Sequence, residues 1–193
     1  MVVGLTGGIG SGKSTVARMF DKTGNIAIYY ADDEAKKLMI TSSIIKKQIC
    51  KEFGEEAYQG DQLNRAFIAT IVFADKEKLA ILNSIVHPEV YKHFKNFVSL
   101  NSDKEYVLYE NAILFENNSD VLCDKIVTVI ADENIRIQRV VKRDNTSESE
   151  VRKRMNNQWK DVKKQLLSNY IITNNTSDKL LAQALRIHNN LTK

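Results

Sequence analysis

The stretch GGIGSGKST, residues Gly7 to Thr15, decides how this chain is read. Four of the protein's eight glycines fall in the six positions from Gly7 to Gly12, after the apolar run MVVGLT and before Lys13. Gly7 to Ser14 fit the pattern GxxxxGK[ST], and the flanks are the ones the pattern needs: a strand before it and a helix opening near Lys13. Residues without a Cβ let the backbone turn so that successive N–H groups point inward at phosphate oxygens. The helix start adds the positive end of its dipole. In that geometry Gly8, Ile9, Gly10, Ser11, Gly12, Lys13, Ser14 and Thr15 form a cradle for the phosphates of a nucleotide. Lys13 reaches the β- and γ-phosphates, and the Ser14 hydroxyl holds Mg²⁺.

Working outward, the 193 residues are 43% hydrophobic and 27% charged, enough to bury a core in one compact domain with a subsidiary lobe. No apolar run approaches the roughly 18 residues of a membrane span. The first residues lack the basic, apolar and small-residue regions of a secretory leader, so a cytoplasmic protein without a membrane partner is expected. Cys50 and Cys123 have no metal or redox spacing and read as reduced, partly buried thiols. The net charge is only +4, yet Arg136 to Lys164 holds ten Lys or Arg against four Asp or Glu, an excess of +6. A phosphate-rich ligand, a nucleic acid or a solvated helical face each fits such a block.

Strand and helix patterns alternate along the chain. MVVGLT, NIAIYYAD, YVLYE, KIVTVIAD and YIITN read as strands. Helices are expected from Ser14 to Phe20, in EAKKLM and SIIKKQICKEFG, over Glu133 to Arg143 and Glu148 to Leu167, and from Asp178 to Leu191. From about Gln62 to Leu100 the apolar residues recur at helical spacing with no convincing strand, interrupted by Pro88, the only proline. The expected architecture is therefore an α/β, P-loop three-layer fold with a parallel sheet. A helical insert spans about residues 60–100 and a basic helical lid about residues 136–165.

Kinases, switch GTPases and nucleic-acid motors all use such a cradle, so other residues must discriminate. No NKxD element for guanine is present, and the chain is too short for the further segments of a helicase. Asp32 and Asp33 close the second strand, at the end of an open parallel sheet that borders the ligand crevice. Asp32 is placed to accept the proton of an attacking hydroxyl or to hold a water of the Mg²⁺ shell, and Asp33 to cap the next helix. Arg136, Arg139 and Arg143 recur at spacings of three and four on one helical face, where guanidinium groups stabilise a migrating phosphoryl charge. Trp159 reads as a packing residue. These residues point to a small-molecule kinase. They leave open a nucleoside monophosphate kinase and, from a different class, a nucleic-acid-binding ATPase that would bind in a salt-sensitive way.

The chain resembles the dephospho-CoA kinases over nearly its whole length. The resemblance is carried by GLTGGIGSGKST, the aspartate-ended second strand, LNRAFIATIVF with HPEV, AILFE, QRVVKRD with Gln158 beyond it, and YIITNN. It implies transfer of the ATP γ-phosphoryl to the ribose 3′-hydroxyl of dephospho-CoA. ATP, dephospho-CoA and Mg²⁺ would be the ligands, with no nucleic acid, and the protein a monomer or weak homo-oligomer. It also implies that Lys13, Asp32 and Arg139 are catalytic, that Arg143 binds ATP, and that Arg65 and His87 belong to the lobe that binds the acceptor, while Glu116 is suited equally to contact the acceptor or to act as a structural cap. The chain departs from the family pattern at Tyr30, where an aspartate is usual, at Glu110-Asn111 before AILFE, and at Asn169. Glu110 is expected at a strand end beside the cradle, assisting Mg²⁺ or the acceptor.

Overall fold

Residues 1–176 and 178–193 are described by a computed structural model of the chain. Strand β1 (Val2–Thr6) leads through the glycine loop into helix α1 (Lys13–Phe20), and strand β2 (Ala27–Tyr30) follows. Helices α2 (Ala31–Thr41) and α3 (Ser43–Phe53), strands β3 (Tyr58–Gln59) and β4 (Gln62–Leu63), and helices α4 (Arg65–Ala74) and α5 (Lys76–Leu100) come next. The chain continues with β5 (Val107–Glu110), β6 (Lys125–Ile130), α6 (Glu133–Asp144), α7 (Glu148–Asn156), α8 (Asp161–Leu166), β7 (Tyr170–Thr173) and α9 (Leu180–Leu191). Two compact units result, one of Met1–Tyr30 with Asn101–Lys193 and one of Ala31–Leu100.

The first unit is built on a five-stranded sheet in the order β2-β5-β1-β6-β7, with every neighbouring pair parallel. Parallel strands are covered on both faces, so they read as unbroken apolar runs. Val3, Leu5, Leu108, Val127, Val129 and Ile172 are accordingly buried. Val16, Ala17 and Phe20 of α1 and Leu180, Ala184 and Ile187 of α9 close the same core. β1 lies between β5 and β6, both of which come later in the chain. A crevice opens outside the carboxyl end of a strand in that position, and the glycine loop leaves β1 there. Both cysteines are free and partly buried, and burial pushes the Cys123 thiol up to about 12.

The second unit is helical apart from the short β3–β4 hairpin. It begins at Ala31, well before the expected insert boundary near residue 60, because α2 and α3 pack on α5. Asn64 and Ser42 cap α4 and α3 through side-chain bonds from Phe67 N and Ile45 N.

Several sequence expectations are corrected. Pro88 does not interrupt the helix, since α5 runs unbroken through it from Lys76 to Leu100. A proline removes one backbone bond, here the one to the carbonyl of exposed Ser84, while Ile85, Val86, Val90 and Phe94 remain buried along the helix. The second strand ends at Tyr30, so Asp32 and Asp33 lie in the first turn of α2, where carboxylates favour the helix dipole. Asp33 therefore lies inside the helix and pairs with Lys36 at 2.9 Å. The helix expected over Glu148 to Leu167 breaks at residues 157–160, whose groups turn to partners elsewhere in the unit. The last helix starts at Leu180.

Candidate active site

Gly12 ends the loop and opens α1 in a left-handed conformation, φ 91°, that L side chains rarely adopt, and α1 has no side-chain cap. A Cβ on Gly12 would collide with the Asn174 amide. The first turn of α1 therefore presents backbone and dipole, a ready anion site. Lys13 folds back across the loop and donates to Gly7 O at 2.9 Å. Ser14 is exposed at the same helix start.

Side chains far away in the chain hold the loop from behind. Asn174, just past β7, donates to Ser11 O at 2.7 Å. Arg136 of α6 donates from Nε to Ile9 O at 2.9 Å, and Gln158 Oε1 accepts from Ile9 N at 2.8 Å. The loop approaches α6 so closely that a Cβ on Gly10 would lie 2.5 Å from Arg136 O. The contacts made by Gly8, Ile9 and Ser11 are thus with protein, including Ser11 N to Gly8 O at 3.1 Å. Ser11 Oγ is buried without a partner among the described residues.

In front of the loop lies a cleft of about 340 Å³. Gly10, Gly12, Lys13, Ser14 and Thr15 line it together with Arg18, Val140, Arg139 and Arg143. The structure therefore brings seven of the sequence-predicted residues to one cavity. Among the described residues, Arg139 Nη1 is buried with no acceptor, and Nη2 makes only a long 3.5 Å contact with Asn175 O. A buried guanidinium N–H needs an acceptor, and a phosphate oxygen in the cleft would supply one. Arg143 is mostly exposed and makes a two-point bond with Asp144, 2.7 and 3.1 Å. Arg143, with Arg154 behind it, holds the Asp144 carboxyl below the usual carboxylate range.

The three arginines of the expected stripe have separate fates. Arg136 is buried and paired with Asp161 Oδ2 at 2.7 Å, so it serves the loop from behind and does not line the cleft. Glu116 lies in the same unit and does not line the cleft either. Its Oε1 accepts from Trp159 N at 2.9 Å and from buried Lys164 at 2.8 Å. Trp159 is a packing residue, its ring parallel to Phe115 and Lys163 Nζ 3.1 Å from its centroid. Glu110 ends β5 in register with Leu5 and Tyr30 and is buried. Asn169 forms a reciprocal pair with Ile126, Oδ1 from Ile126 N at 2.8 Å and its own N to Ile126 O at 2.9 Å.

The second unit holds the remaining predicted residues. Asp32 is exposed in α2, Arg65 is exposed at the start of α4, and His87 is exposed on α5 beside Pro88. Sequence reasoning missed Arg18, Asp161 and Lys164, and it recorded Gln158 and, within YIITNN, Asn174 without a role. Only Arg18 had a usable signal, one helical turn and a half beyond Lys13.

Comparison with known proteins supplies the lineage. The dephospho-CoA kinase family model matches residues 1–179. The chain is similar to a dephospho-CoA kinase of Bacteroides fragilis, 35% identical over 185 residues that cover 96% of this chain and 90% of that protein. It is also similar to one of Chlorobaculum tepidum, 39% identical over 199 residues covering 99% and 95%. The crystal structure of TT1252 from Thermus thermophilus superposes with a TM-score of 0.89 at 28% identity, covering 100% of this chain and 98% of that one. With a cradle, an arginine-lined cleft and this likeness along its length, the chain belongs to the dephospho-CoA kinase family.

Proposed function

We propose that the protein transfers the γ-phosphoryl of ATP to the ribose 3′-hydroxyl of dephospho-CoA, giving CoA and ADP, the final step of coenzyme A biosynthesis. One observation supports it most: the glycine loop, Lys13 and an Arg139 N–H with no acceptor among the described residues meet in one cleft, in a chain matched by this family over residues 1–179. The triphosphate lies along the loop, with Lys13 and Arg139 on the β- and γ-phosphoryl oxygens and Arg143 at the rim. Phosphoryl transfer is loose, so positioning and charge neutralisation supply most of the acceleration.

Mg²⁺ in kinase sites is held by one or two protein oxygens plus phosphate and water. The exposed Ser14 hydroxyl at the cradle fits that demand. Held there, the ion would neutralise charge on the phosphates. Asp32 orients or deprotonates the 3′-hydroxyl, and Arg65 and His87 belong to the unit that receives the acceptor. The protein works in the cytoplasm. No helix among the described residues is long and apolar enough to cross a membrane.

A coupled ADP-release assay over dephospho-CoA, AMP, CMP and shikimate tests this reading. Dephospho-CoA alone is expected to support turnover, and Lys13→Ala is expected to reduce it about 1000-fold while remaining folded. Turnover of a different acceptor in the panel would replace the assignment.

A further inference from the structure

The glycines that shape the phosphate loop also leave it loose. Gly10 lines the cleft at φ 79°, where no side chain steers its backbone. Phosphoryl transfer needs loop N–H groups fixed in place, so something outside the loop must hold it. Beside the Asn174 bond to Ser11 O, the restraint falls on Ile9, immediately before Gly10. Both its main-chain polar groups are gripped by side chains, N–H by Gln158 Oε1 at 2.8 Å and C=O by Arg136 Nε at 2.9 Å.

The gripping groups are themselves pinned. Arg136 Nη1 binds Asp161 Oδ2 at 2.7 Å, and Asp161 stands three residues after Gln158. The residue next to Gln158 is fixed by the bond from Trp159 N to Glu116 at 2.9 Å. Fully buried Lys164 ties α8, which begins at Asp161, to Glu116 at 2.8 Å and to Ala112 O at 2.9 Å. Gln158 therefore sits on a rigid turn with its amide oxygen aimed at one loop N–H.

We propose that Gln158 is a positioning residue for phosphoryl transfer. Its amide oxygen, docked on the Ile9 N–H, sets the orientation of the loop crest and so of the N–H groups presented to the phosphates. This rests on the reading of the loop as the ATP site. Arg136, held by Asp161, restrains the same residue from its carbonyl side.

Full-length Gln158→Met and Gln158→Glu, compared with the native protein, test the role. The methionine removes the acceptor at similar size, and the glutamate keeps an acceptor and adds a charge. Gln158→Met is expected to lower kcat about 10- to 100-fold with KM for ATP within about threefold, the signature of a contact felt in the transition state. Gln158→Glu is expected to recover kcat to within about fivefold of native while KM for ATP rises more at low salt, because the carboxylate repels the polyanion. Melting temperature is read in parallel: a purely structural role would lower it in both variants and leave kcat per folded molecule native. Native kcat in Gln158→Met, or no recovery in Gln158→Glu, overturns the proposal. Absence of dephospho-CoA turnover by the native protein would instead overturn the proposed function.

Discussion

The two ends of the basic segment look alike in charge and do opposite work. At one end Arg139 and Arg143 face an open cleft, and a buried N–H of Arg139 has no protein acceptor among the described residues. At the other end Gln158, Asp161 and Lys164 turn inward, each with a protein partner, and Lys164 is fully buried. The first end keeps a polar group unsatisfied, which is costly unless a ligand completes it. The second end gives each of these side chains a protein partner and so holds its neighbours still, with only Asp161 Oδ1 and Glu116 Oε2 left without one among the described residues. A phosphoryl-transfer site needs both conditions, free donors for the ligand and fixed scaffolding for the donors.

The comparison breaks most sharply at Arg139. Arg139→Ala is expected to reduce kcat about 100- to 1000-fold with little change in melting temperature, since the side chain has few protein partners to lose. Steady-state kinetics beside a thermal melt check this, and a large loss of stability would show that Arg139 belongs with the inward-turned end. Asp161→Leu probes that end: it strands the buried Arg136 guanidinium and is expected to destabilise the fold by about 3 kcal/mol in urea denaturation. A loss under about 1 kcal/mol would mean that Arg136 is held adequately by Ile9 O alone. The smallest effect is expected at Arg143, whose side chain is 63% exposed and already paired with Asp144. Arg143→Ala should raise KM for ATP about threefold, because an exposed, screened contact contributes little. A 100-fold loss of kcat there would move the catalytic charge from Arg139 to the rim.

The loop, the parallel sheet and the helical character of residues 65–100 were legible because each is written in neighbouring residues: a nine-residue motif, apolar strand runs and helical spacing. Pro88 misled because proline chemistry is local while its tolerance depends on where the freed carbonyl points; Ser84 is exposed. Asp33 misled for a related reason, since its role turned on whether the helix began one or two residues earlier. Glu116 was read as equally suited to the acceptor or to a cap, and its bonds to Trp159 N and Lys164 could not be seen from LFE alone.

By itself the sequence determined that a phosphate cradle opens a helix after an apolar strand, that an α/β sheet surrounds it, and which family the chain resembles. These depend on contiguous residues, on unbroken apolar strand runs and on the helical period of 3.6. Tertiary structure alone decided that Arg136 restrains the loop while Arg139 faces the cleft, and that Gln158 and Asn174 hold Ile9 and Ser11 across 149 and 163 residues of chain. Such pairings follow from the strand order, which sets β6 against β1 and β7 beyond it. A hydrogen bond between groups that far apart leaves no spacing in the sequence to be read, because its geometry exists only once the sheet has brought both ends together.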